Sequence, residues 1–173
     1  TITETSLLAN RLVKNNDKCN ENQDYHNLKK EELKDFLTRY LEDIVYNVKL
    51  KPNVTEVLKK WHNLGYKIIF ITARGAEKTD NLVNLKTLYL TSMYFAKESI
   101  PFDEIVFFKD SKVNTAIDYN LDLFIDDKEK VLDEMKAAQI NTLRMTDEKE
   151  SKHQIVQNWF EIANIVGNGG VNN

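Results

Sequence analysis

Apolar positions follow two regimes along this chain. Before Pro52 they recur only at helical spacing. Leu7, Leu8, Leu12 and Val13 make a short stripe, and Leu33, Phe36, Leu37, Tyr40, Leu41, Ile44, Val45 and Val48 make a longer one. The i, i+3, i+4 recurrence predicts an amphipathic helix, with Lys29, Lys30, Glu31, Lys34 and Asp35 mostly off its apolar face and Asn27 placed to cap it. Between the stripes, Lys14 to Asn27 is polar and Asn-rich and reads as a solvated loop.

After Pro52 the pattern alternates. Pro52 suits the first turn of a helix that carries Val54, Val57, Leu58 and Trp61 inward and ends at Leu64-Gly65. Tyr66 to Thr72 follows as an apolar run rich in β-branched and aromatic residues, the pattern of a parallel strand buried on both faces. Ala76 to Ser99 is helical, with Leu82, Leu85, Leu88, Tyr89, Met93 and Phe95 read as core. Glu104 to Phe108 is a strand, Lys112 to Tyr119 a short helix, and Asp122 to Asp126 another strand. Glu129 to Ala138 is a helix with Val131, Leu132 and Met135 inward, and Thr142 to Met145 a last short strand. Ile155, Val156, Trp159, Phe160 and Ile162 mark a C-terminal helix, and 167–173 form a frayed polar tail. Strand–helix alternation of this kind predicts an α/β domain with a parallel sheet. The lone helices before it predict a small helical insertion over 4–48, leaving 1–3 and 49–166 to the α/β core.

Composition narrows the function classes. The 173 residues carry 24 basic and 27 acidic side chains, a net charge of −3. There is no basic field to hold duplex nucleic acid by its phosphates. Cys19 is the single cysteine, so no intrachain disulfide can form and a reducing cytoplasm is the natural compartment. No apolar run approaches the ~20 residues that span a bilayer, so no membrane partner is expected.

The chemistry-bearing residues gather at strand ends. In open α/β sheets the carboxyl ends of strands hold ligands. Thr72 and Arg74 present a hydroxyl and a fixed cation at one such end. Asp126 and Asp127 present adjacent carboxylates at another, a donor set that suits Mg²⁺ before Zn²⁺. Lys112 opens the helix that leads into the second strand. A hydroxyl, a lysine and a carboxylate pair make a site for a phosphate bound with a metal.

Thr72 at a strand tip, Lys112 on a helix and Asp126-Asp127 at a later strand tip occur in this order, and together the chain resembles the haloacid dehalogenase superfamily of phosphohydrolases. The resemblance covers Leu50 to Val166. Within that superfamily the chain is most similar to the 5′(3′)-deoxyribonucleotidase-like proteins, through Ile71-Thr72-Ala73-Arg74, Ile100 to Ile105, Asp122 to Asp127 and Asn158 to Ile162. The resemblance implies a Rossmann-like three-layer α/β/α core with a small helical cap. It also implies a Mg²⁺-dependent phosphomonoesterase that acts through an aspartyl-phosphate on a small ester such as a (deoxy)nucleotide monophosphate. Thr72 and Lys112 would be catalytic. Thr1, Ala73 and Arg74 would bind substrate, although an ion pair is an equal reading for Arg74. Asp126 would ligate the metal and Asp127 would support it through water or Lys112, while Lys109 competes with Lys112 for the lysine role.

The superfamily's first motif, Asp-x-Asp followed by Gly-Thr, is absent. Thr1-Ile2-Thr3 looks like its continuation, so the attacking carboxylate is expected just before Thr1. Two classes therefore stand open: the phosphatase, whether of nucleotides, sugar phosphates or nucleic-acid 3′ ends, and a binding or regulatory protein that keeps the pocket without the nucleophile.

Overall fold

The alternation after Pro52 is realised as parallel strands with helices between them. The computed structural model describes residues 2–15, 25–72, 81–107 and 111–167. The elements are α1 (Thr5–Lys14), α2 (Lys30–Val45), α3 (Val54–Asn63), β1 (Ile69–Thr72), α4 (Asn81–Lys97), β2 (Glu104–Phe107), α5 (Lys112–Asp118), β3 (Leu123–Asp126), α6 (Glu129–Ala137), β4 (Asn141–Met145), β5 (Gln154–Val156) and α7 (Trp159–Gly167). The fold is α/β, as the alternation predicts. By contacts the chain divides into one unit of Lys51–Thr72 with Pro101–Asn173 and another of Ile2–Leu50 with Ala73–Ile100.

In the first unit every ladder is parallel. β1 pairs with β2, and β4 lies between β3 and β5. Asp103 starts the first ladder: its amide donates to the Ile68 carbonyl at 2.8 Å, and its carboxylate accepts the Ile68 amide at 2.6 Å. The four β1 residues are half-buried rather than buried on both faces. Among the described residues β1 has a ladder partner on one side only.

Phe124 of β3 packs in a cluster with Ala116, Leu132, Met135 and Ile140, and Ile71 of β1 lies against it. Trp61 of α3 meets Trp159 of α7 at 6.1 Å between ring centroids. α3 buries Val54, Val57, Leu58 and Trp61 as predicted. Its N-cap is Asn53 in the left-handed region (φ 65°), so Pro52 stands outside the helix and not in its first turn. Asn tolerates that conformation. Gly65, at φ 86°, closes the helix, and the Tyr66 amide donates to the Trp61 carbonyl at 3.0 Å.

Two C-terminal expectations change. Ile155 and Val156 belong to β5, paired with Arg144 and Met145, and not to the last helix. That helix begins at Trp159, where Asn158 accepts the Glu161 amide at 3.0 Å and Glu161 accepts the Gln157 amide at 2.8 Å.

In the second unit α1, α2 and α4 enclose Ala9, Val13, Phe36, Leu41, Ile44, Val45 and Leu90. Asn27 lies in a 3₁₀ turn, Tyr25–Asn27, and does not cap α2. Lys29 holds the N-cap position, and Glu32 accepts its amide at 2.8 Å. The sequence pattern groups α4 and Thr3 with the strands. In the structure α4 packs on α2, and Thr3 forms an antiparallel bridge with Leu50, so both join the helical unit.

The expected core face of α4 is also different. Leu82, Leu85, Tyr89 and Met93 are exposed, at 78%, 63%, 63% and 41%. Phe95 is buried as expected, and Thr87, Leu90, Thr91 and Tyr94 are buried with it. Two threonines can serve a buried face because their hydroxyls donate to carbonyls one turn back, Thr87 to Val83 at 2.7 Å and Thr91 to Thr87 at 2.8 Å. No helix among the described residues is long and apolar enough to cross a membrane.

Candidate functional site

Asp126 is the last residue of β3 and is only 4% exposed. A buried carboxylate needs a counter-charge and donors, and local structure supplies both. Its Oδ1 accepts the amides of Asp127 at 2.9 Å and Lys128 at 3.0 Å, the two residues that turn the chain into α6. Its Oδ2 accepts from Lys112 Nζ at 2.6 Å.

Lys112 is held by its own helix start. Ser111 caps α5 by accepting the Val113 amide at 3.1 Å, which puts Lys112 in the first helical turn. A cation there opposes the helix dipole. The Asp126 carboxylate offsets that, and the Phe124 ring lies 5.8 Å beneath the ammonium.

A carboxylate offers about four lone-pair positions. Two on Oδ1 are filled by amides and one on Oδ2 by Lys112, so Oδ2 is the oxygen with fewer backbone donors among the described residues. Asp127 follows as an exposed residue whose carboxyl is partly desolvated. Among the described residues no group of three or more His, Cys, Asp or Glu is arranged to hold a metal ion. Two carboxylates are enough for Mg²⁺, which keeps several waters and shares ligation with substrate phosphates. The donor set therefore fits Mg²⁺ in that mode, with Asp126 offering a single oxygen.

The structure thus brings Lys112 and Asp126 together, with Asp127 adjacent. Thr72 ends β1 opposite Phe107 in the ladder. Thr1, Ala73, Arg74 and the rival Lys109 lie outside the described residues.

One residue near the carboxylates has no signal in the sequence pattern. Arg144 sits on β4 directly opposite Asp126 and is buried. In sequence it is one polar position in a short strand. Its Nε donates to the Asp127 carbonyl at 3.3 Å, and its guanidinium nitrogens lie 2.9 Å from Glu148 and 3.6 Å from Glu129. Glu129 also accepts from the Lys152 amide at 3.2 Å and the Ser151 hydroxyl at 3.0 Å. These two hydrogen bonds and the Arg144 and Lys152 charges hold its carboxyl below the usual glutamate range, against a desolvation effect in the other direction.

The chain matches no protein-family model and no curated protein. Among solved structures it is similar to a hydrolase from Streptococcus pneumoniae described as a haloacid dehalogenase-like family protein. The two share 13% identity with a TM-score of 0.59, over 96% of this chain and 93% of that one. At that identity the likeness is one of fold alone: an α/β core with parallel strands.

Proposed function

We propose that this chain is a Mg²⁺-dependent phosphomonoesterase of haloacid dehalogenase type, acting on a small phosphate ester, with a (deoxy)nucleotide monophosphate as the favoured substrate. The observation that carries this reading is the Lys112–Asp126 pair at 2.6 Å on the end of a parallel strand. A surface lysine has no need of a buried partner on another element, whereas a phosphate site needs a cation and an oxygen donor side by side.

In this reading Asp126 and Asp127 would hold Mg²⁺, which when bound neutralises charge on the phosphoryl group. Thr72 donates its hydroxyl hydrogen bond to a phosphoryl oxygen, and Lys112 offsets negative charge on the phosphate and the attacking group. A carboxylate oxygen of the aspartate that the resemblance places ahead of Thr1 would bond to phosphorus as the ester P–O bond breaks, and the alcohol leaves with a proton taken from water. Water then adds to the aspartyl-phosphate, releasing phosphate and restoring the carboxylate. Ala73, Arg74 and Thr1 would contact substrate, and the helical unit would serve as the cap that selects it. A cytoplasmic location belongs to the same proposal.

The test is hydrolysis of an aryl phosphate with Mg²⁺, with excess chelator, and by the Asp126→Asn and Lys112→Met proteins. Chelation should abolish turnover, and each substitution should lower kcat by about 10²–10³-fold. A panel of deoxynucleoside 3′- and 5′-monophosphates, sugar phosphates and 3′-phosphorylated oligonucleotides then ranks substrates. Phosphate binding without turnover in any condition, in a protein that carries the aspartate expected ahead of Thr1, would replace the enzyme by the binding protein.

A further inference from the structure

We infer that Arg144 is a positioning residue for the carboxylate turn after β3, setting how Asp127 is presented and thereby the affinity of the Asp126–Asp127 pair for a divalent cation. This rests on the phosphatase reading above. Parallel register places Arg144 beside Asp126, one strand over. Its side chain spans three segments at once: the Asp127 carbonyl at 3.3 Å, Glu129 in the first turn of α6 at 3.6 Å, and Glu148 in the β4–β5 connection at 2.9 Å.

The desolvation of a buried guanidinium cancels much of what its ion pairs contribute, so stability alone is a weak reason for it. Geometry is a better one. The Nε–H donates to the one carbonyl between the two residues whose amides hold Asp126 Oδ1 and α6 itself. If that carbonyl swings, the Asp127 side chain moves and the Asp127 and Lys128 amides lose their line to Oδ1. Glu129 and Glu148 lie against the two terminal nitrogens of the guanidinium, at 3.6 Å from one and 2.9 Å from the other. Lysine cannot reproduce this, because an ammonium is a point charge with no planar fork.

The experiment uses the full chain, isotope-labelled, with Mg²⁺ alone as the titrant. Backbone amide resonances of Asp127 and Lys128 report both metal binding and hydrogen exchange. The proteins are wild type, Arg144→Lys, Glu148→Gln and Asp126→Asn. Arg144→Lys keeps the charge and is expected to fold. It should weaken Mg²⁺ binding about tenfold, the usual size for a group that orients a metal ligand. Exchange at Asp127 and Lys128 should quicken about tenfold, with Leu132 and Met135 in α6 unchanged. Glu148→Gln should show the same change, only smaller.

Wild-type Mg²⁺ affinity and turn exchange in Arg144→Lys would overturn the inference while leaving the phosphatase reading intact, provided Asp126→Asn loses binding. An Asp126→Asn protein that binds Mg²⁺ like wild type, or a wild type that binds none, would overturn that reading and this inference with it. Slower folding or a uniform loss of protection across α6 in Arg144→Lys would assign Arg144 to stability alone and also overturn it.

Discussion

Lys112 Nζ and Asp126 Oδ2 lie 2.6 Å apart across 14 residues of sequence, the lysine 19% and the aspartate 5% exposed at the side chain. The pair is asymmetric. The lysine can reach water, whereas the aspartate is buried and accepts from the lysine and two amides. Removing the cation therefore leaves a buried anion without a counter-charge.

Lys112→Met should accordingly cost about 3–5 kcal/mol in urea unfolding, the range for a broken buried pair. Asp126→Asn keeps an oxygen for the two amides but turns an NH₂ toward the ammonium, so it should also destabilise. The double variant removes both faults and should cost less than the sum by roughly 0.5–3 kcal/mol. Strict additivity in that cycle would show that the contact contributes nothing.

On α4, exposure and burial predict opposite outcomes for residues of one chemistry. Leu85→Ala removes a side chain that is 63% exposed and should change stability by less than about 0.5 kcal/mol. Leu90→Ala opens a cavity in the α1–α2–α4 cluster and should cost about 2–5 kcal/mol. Equal costs in parallel urea melts would mean that the stripe Leu82–Leu85–Tyr89–Met93 is packed after all.

These two cases mark how far the sequence could be read. The strand-end positions of Thr72 and Asp126 and the helix-start position of Lys112 were legible because a strand tip and a helix start are local patterns, and the α/β class followed from the alternation around them. α4 misled because it is apolar almost all round and buries Thr87 and Thr91, which a hydrophobicity pattern counts as polar. β5 was invisible because a strand of three residues, Gln154–Val156, is too short to show a period. Arg144 was invisible for another reason: its partners lie on the turn after β3, on α6 and on the β4–β5 connection, and only the folded chain brings them together.

A pH experiment follows from Asp133. Its carboxylate accepts from the buried ring of His153 at 3.1 Å and lies 3.5 Å from Lys152 Nζ. The His153 hydrogen bond, with help from Lys152 and against a smaller desolvation effect, holds its carboxyl below the ordinary aspartate value. A carboxylate whose folded pKa is lowered contributes stability above its unfolded pKa, near 3.9, and loses it as pH falls through the folded value. Asp133→Asn should therefore be less stable than wild type at pH 7, and the gap should close as pH falls from about 4 toward 3. A gap that stays constant across that window would show that the carboxylate charge is not the cause.

Trp159 offers a prediction in which two effects oppose each other. The ring is 4% exposed, packs against Trp61, and its Nε1–H has no hydrogen-bond partner among the described residues. A buried donor left unpaired costs about 1–3 kcal/mol. Trp159→Phe removes that donor and also shortens the ring, which sacrifices apolar burial at roughly 25 cal/mol per Å² and leaves a small void. The two contributions are of similar size and opposite sign, so the variant should lie within about 1 kcal/mol of wild type. Trp159→Ala removes the same donor together with nearly all of the packing, and should cost about 3–5 kcal/mol. Guanidinium unfolding of both proteins, followed by the fluorescence of Trp61, measures the difference. A Trp159→Phe protein as unstable as Trp159→Ala would mean that the indole N–H is in fact satisfied and contributes to the α3–α7 contact.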